Sequence, residues 1–114
     1  MKTTPISAEL GFADSDILSY RRDGDGLTVT LKLWNERQVS LVFDEVDGIM
    51  ELGAGDLSDV VEVEGPHPFL DTLLRHYGES ESSSTRSFQF LSLDGEPVLQ
   101  VVAKGVRIVA EASR

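Results

Sequence analysis

The chain has 114 residues, carries ten Lys and Arg against twenty Asp and Glu for a net charge of −10, and contains no cysteine. That length fits one domain, 1–114, and is short for two. The missing cysteine excludes disulfides and thiolate metal sites and accords with a reducing compartment. A negative field of this strength repels phosphates, so DNA or RNA binding is not expected, and any partner chosen by charge is cationic.

The opening Met1-Lys2-Thr3-Thr4-Pro5 leads into no apolar stretch of the signal-peptide kind. Apolar runs stay at a few residues, far below the roughly 20 a membrane span needs. A cytoplasmic chain without a membrane partner is the expectation. Period-two alternation then dominates, the pattern of half-buried strands. Ile17–Arg22 reads as a strand joined through Asp23-Gly24-Asp25-Gly26 to a second strand. There Leu27, Val29, Leu31 and Leu33 take one face and Thr28, Thr30 and Lys32 the other. Asp and Gly accept positive φ, which marks the junction as a hairpin. After a turn at Asn35-Glu36, Val39, Leu41 and Phe43 resume the alternation and complete a meander.

Asp44–Gly48 is the next turn, followed by short strands near Ile49–Leu52 and Asp59–Glu64, with Gly53-Ala54-Gly55-Asp56 as a break between them. A single helix is expected after Gly65-Pro66-His67-Pro68. Phe69, Leu70, Leu73, Leu74 and Tyr77 form one helical stripe, and Gly78 stands at the C-terminal cap position. Burying that stripe is worth on the order of 8–15 kcal/mol. Ordering its residues costs a comparable amount, so such a helix requires a sheet to dock on. Glu79–Ser87 reads as a polar loop. Phe88–Leu93 and Val98–Ala103 read as a hairpin through Asp94-Gly95-Glu96-Pro97. Gly105 is either a bulge in one long strand or a turn into a last strand at Val106–Ala110. The expected class is α+β: an antiparallel sheet of six to eight strands with one α-helix packed on a face. Trp34, Val42, Leu91 and Leu93 sit on the faces opposite their apolar neighbours. The far side is therefore expected to be covered by sheet curvature, the N-terminal segment or a second subunit.

No constellation carries catalysis. Asp14-Ser15-Asp16 and Asp23-Gly24-Asp25-Gly26 have the short carboxylate spacing of calcium loops but lack the later ligands such loops need. Gly53-Ala54-Gly55 lacks the third glycine and the following helix of a dinucleotide fingerprint. His67 and His76 stand at opposite ends of the expected helix and cannot share a metal, and no Gly-x-Ser-x-Gly elbow accompanies them. Asp56/Asp59 and Glu62/Glu64 could pair as acid and base, but Glu62 and Glu64 read as the solvated face of a strand. The expectation is a protein that is not an enzyme and holds no cofactor or metal.

The charge is unevenly distributed. Between Arg37 and Arg75 there is no basic residue but nine of the twenty acids, leaving eleven acids against ten bases elsewhere. Asp44, Glu45, Asp47, Glu51, Asp56 and Asp59 are thereby singled out as a partner-binding face for a basic protein. A resemblance points the same way. Asp14-Ser15-Asp16-Ile17-Leu18, the glycine-containing hairpin, the alternating Leu27–Trp34 and the closing Leu41-x-Phe43-x-x-Val46 resemble small bacterial domains of unknown function, some of them immunity proteins of polymorphic toxin systems. The pattern departs at Ala13, where a His is expected. The resemblance implies a cytoplasmic protein that blocks a toxin by binding it, without chemistry of its own. The alternative is a structural or self-associating homodimeric module. Purified protein is predicted to bind zinc, calcium and nucleotides no better than at weak millimolar affinity. Stoichiometric metal in elemental analysis would contradict this.

Overall fold

The computed structural model describes residues 2–7, 11–53, 56–64 and 86–110. They form nine strands: β1 (Lys2–Pro5), β2 (Ser15–Asp23), β3 (Gly26–Lys32), β4 (Gln38–Asp44), β5 (Gly48–Glu51), β6 (Asp56–Glu64), β7 (Arg86–Ser92), β8 (Pro97–Ala103) and β9 (Gly105–Ala110). All pair antiparallel in one sheet of order β5-β8-β7-β6-β2-β3-β4-β9, with β1 added beside β6. The β2–β4 meander forms where the alternation places it. Leu27 faces Phe43, Val29 faces Leu41 and Leu31 faces Val39, all six buried, while the intervening residues are half-buried. Gly24 alone is positive, at φ 61°, in the two-residue hairpin loop, as a type II′ turn requires.

The sheet folds back on itself. β4–β5 and β8–β9 are two bent arms of one continuous ladder, pairing Val39 with Ala110 through Asp44 with Gly105, and Gly48 with Val102 through Glu51 with Leu99. Across the bend the Lys104 N–H donates to the Asp44 carbonyl at 3.0 Å and the Asp47 N–H to the Val102 carbonyl at 2.8 Å. Each arm thus passes from one layer to the other, the way corners are made in strongly bent sandwiches. At the second corner β2 meets β6 through only Ser15↔Leu57 and Asp16↔Asp56. One layer is β2-β3-β4-β9 and the other β6-β7-β8-β5. Phe43 of β4 lies edge-on to Phe88 of β7 with centroids 5.2 Å apart, and 6.1 Å from Phe90. Four places apart in a flat sheet they would be separated by roughly 19 Å. The core between the layers gathers these rings with Leu27, Val29, Leu41, Leu57, Val60, Leu99 and Val101.

This arrangement corrects the α+β expectation. Among the described residues the protein is all-β, with nine strands rather than six to eight and no helix. The apolar face of the meander is covered by a second β layer, supplied by Val60, Phe88, Phe90, Leu99 and Val101, where a helix was expected to lie. The stripe from Phe69 to Tyr77 falls outside the described residues. Two further differences are local. Lys2–Pro5 is a strand although it lacks alternation, because it adds to the ready edge of β6 from Val61 to Glu64. β6 begins at Asp56 rather than Asp59. The question at Gly105 resolves as a bend: Lys104 separates β8 from β9, and Gly105 pairs with Asp44.

β6, β7 and β8 are buried on both faces. Val61 and Val63, Ser87 and Gln89, and Gln100 and Val102 are buried on the face opposite Val60, Phe88, Phe90, Leu99 and Val101. Their near-continuous apolar runs are typical of strands covered on two sides. No helix among the described residues is long and apolar enough to cross a membrane. Phe43→Ala is predicted to lower stability by about 3–5 kcal/mol, because it empties the contact between the layers. A loss below about 1 kcal/mol in denaturant melts would contradict the two-layer packing.

Candidate partner-binding site

The corner between β2 and β6 concentrates negative charge through backbone construction. Phe12 is buried, and its carbonyl accepts from Ser15 Oγ at 2.6 Å and from the Ser15 N–H at 3.2 Å. Asp14 has a φ of 58° and donates its N–H to the Leu57 carbonyl at 2.8 Å. Asp tolerates the left-handed region better than most residues, which suits it to this tight approach. Asp16 then stands directly across the ladder from Asp56. Like charges in that relation destabilise a sheet. The Asp56 carboxyl is accordingly raised above the usual aspartate value, first by its hydrogen bond with Asp16, then by the charge of Asp16, desolvation and the charge of Asp14.

Two cations are paired with carboxylates outside this corner, and Lys32 of β3 stands across the ladder from Asp16 without closing an ion pair. Arg86 forms a two-pronged pair with Glu62, at 2.6 and 2.9 Å, and lies 5.2 Å from the Phe88 ring centroid. Arg107 approaches Asp44 at 3.9 Å. Among the described residues no cation pairs with Asp14, Asp16 or Asp56.

The six acids singled out from the sequence are distributed over two regions and one local cap. Asp44, Glu45 and Asp47 sit where β4 turns into β5. Glu45 takes a φ of 49° there, and Arg22 Nη2 donates to the Val46 carbonyl at 3.0 Å. Lys104 and Arg107 follow from the paired arm, so this region mixes both signs. Glu51 ends β5 and Asp56 begins β6, flanking the same connection. Asp59 is half-buried, and its Oδ1 accepts the N–H of Val60 at 2.8 Å. Of the six, only Asp56 joins the like-charge corner. Asp14 and Asp16 complete it, and in the sequence those two stand out as calcium-loop spacing and as the opening of the resemblance, not as part of the acidic face. Their neighbour Asp56 is forty residues away along the chain, and no local pattern announces that pairing.

Beside this corner lies a cavity of about 300 Å³, lined by Ile17, Leu18, Ser19, Tyr20, Glu51, Gly53 and Leu99. The Tyr20 hydroxyl donates to Glu51 Oε2 across it. Leu18, Tyr20 and Leu52 are exposed at 46%, 41% and 54%, an apolar rim next to a carboxylate. Among the described residues no group of three or more His, Asp or Glu is arranged to hold a metal ion. His67 and His76 lie outside the described residues, and Glu62 is occupied by Arg86. No protein-family model, curated protein or solved structure matches the chain.

The corner has a measurable signature. In the folded protein Asp56 keeps its proton at pH values where the unfolded chain has already released it. The folded state then binds more protons, and this group's contribution to stability falls as pH rises through that window. Asp56→Asn is predicted to raise stability at neutral pH and to flatten its pH dependence across the weakly acidic range. Thermal melts of both proteins over that range test this; equal melting temperatures at neutral pH would contradict it.

Proposed function

We propose that this chain is a non-enzymatic binding protein that engages a basic protein through the acidic corner formed by Asp14, Asp16 and Asp56, with Glu51 beside it. In its finer form the reading is a cytoplasmic immunity-type inhibitor that occupies the basic substrate groove of a bacterial toxin. The observation that carries it is the pairing of Asp16 with Asp56 at the narrow β2–β6 junction. Two carboxylates placed opposite each other oppose folding. A cationic partner relieves that repulsion on binding and gains association rate from the complementary field. The Asp44–Asp47 bend contributes less, since Arg22, Lys104 and Arg107 stand among its acids.

The alternative, a self-associating homodimeric module, calls for one large apolar patch. Among the described residues the exposed large apolar side chains are instead spread over the cavity rim, the turns at Trp34 and Leu93, and Val109 on β9. The deciding experiment is a pull-down from the native host with identification of the retained protein, followed by association kinetics. With a basic partner, Asp16→Asn combined with Asp56→Asn is predicted to slow association several-fold and to weaken its salt dependence. Equal rates and equal salt dependence for both proteins would refute the acidic-corner reading. Recovery of the chain alone would favour the homodimer.

A further inference from the structure

β2 is bonded to β3 from Asp16 to Asp23, apart from the bulge at Leu18, while among the described residues its other edge is closed at the start alone. Ser15 and Asp16 pair with β6, while Leu18–Asp23 has no backbone partner on that side among the described residues. All six of those residues are exposed. An edge of this kind offers a row of N–H and C=O groups to any extended chain.

The local geometry adds side-chain selectivity to that edge. Leu18 is the extra residue of a β-bulge between the pairs Ile17↔Leu31 and Ser19↔Thr30. Bulges re-aim side chains. Beyond it, Tyr20 and Arg22 share the core-side face of Val29 and Leu27, and Ser19 and Arg21 share the outer face of Thr30 and Thr28. A depression accompanies each face: the 300 Å³ cavity on the core side, and one of about 230 Å³ lined by Ser19, Arg21, Thr28 and Thr30 outside. Alternate side chains of an added strand would meet these two spaces in turn.

Charge selects the occupant. Asp14, Asp16 and Asp56 precede the edge, with Lys32 of β3 across from Asp16, Glu51 borders it, and Asp23 and Asp25 end it, so acids outnumber cations along it. Arg22 is turned inward to the Val46 and Gly24 carbonyls, leaving Arg21 as the outward cation of β2. Tyr20 orients the Glu51 carboxylate without neutralising it.

We propose that the open edge of β2 is a strand-addition site for an extended, lysine- or arginine-bearing segment of a basic protein. One cationic side chain enters the cavity beside Leu18 and Leu99, and its head group meets Glu51. The aliphatic stem of a Lys or Arg suits the apolar wall, and the head suits the carboxylate at the mouth. This inference rests on the reading of the chain as a binder of a basic protein.

The test uses the full chain and a fluorescein-labelled, capped nonapeptide of alternating Thr and Lys. The expected result is binding that weakens about threefold or more in Glu51→Gln. It should weaken about fivefold for each inter-strand hydrogen bond removed by N-methylating one edge of the peptide. Amide exchange supplies a second readout. In the free protein alternate amides of Leu18–Asp23 exchange rapidly, and the peptide protects them. Absence of binding at millimolar peptide would overturn the proposal, as would tolerance of N-methylation on both edges or no gain in protection. An unchanged affinity in Glu51→Gln would overturn the placement of the cation. None of these failures removes the acidic-corner reading, which stands or falls on the dependence of the native partner on Asp16 and Asp56.

Discussion

The continuous ladder between residues 39–51 and 99–110 is the constraint on which the rest of the structure depends. Its two arms bend together between Asp44 and Gly48 and around Lys104, so the hydrogen bonds continue while the strands change layer. A straight ladder would leave the apolar face of the meander without cover. The bent one brings Phe88 and Phe90 over Phe43 and turns a single sheet into two facing layers. Ladder closure and aromatic packing are thus the same event seen in the backbone and in the core.

The second corner is weaker by construction. Two residue pairs join β2 to β6, and one of them sets Asp16 against Asp56. Ser15, wholly buried and bonded to the Phe12 carbonyl, together with Phe12 itself, anchors the junction from beneath, so that burial and hydrogen bonding offset the repulsion above. A sheet with an apolar pair at that position would close more firmly. The two opposed carboxylates form no ion pair among the described residues, although Lys32 of β3 stands across from Asp16, and the excess of negative charge at this junction is what the proposed cationic partner would meet.

The same weakness shapes the neighbouring edge. β6 starts at Asp56, so β2 runs on beyond its last pair with it, and among the described residues the ties across the core side are side-chain bonds, Tyr20 to Glu51 and Arg22 to the Val46 carbonyl. Among the described residues these side-chain ties leave the backbone edge without a strand partner, with a cavity behind it. The acidic corner, the open edge and the cavity are three consequences of one short junction.

Local structure was legible in the chain itself. Alternation located β3 and β4, nearly all of β8, and the greater part of β2 and β7. The Asp-Gly pairs marked the β2–β3 hairpin. These follow from short-range physics: side chains alternate across a strand, and turns need residues that accept positive φ. The choice of cover for the core was decided only by tertiary structure. A meander with an apolar face is compatible with a helix or with a second β layer, and alternation within one strand cannot distinguish them. Asp14, Asp16 and Asp56 likewise became one site through a pairing across forty residues. The six acids grouped by their nearness in sequence were divided between the corner, the β4–β5 bend and a local cap at Val60. Charge density along a chain reports composition; which carboxylates share a surface depends on strand register, and register is set by long-range packing.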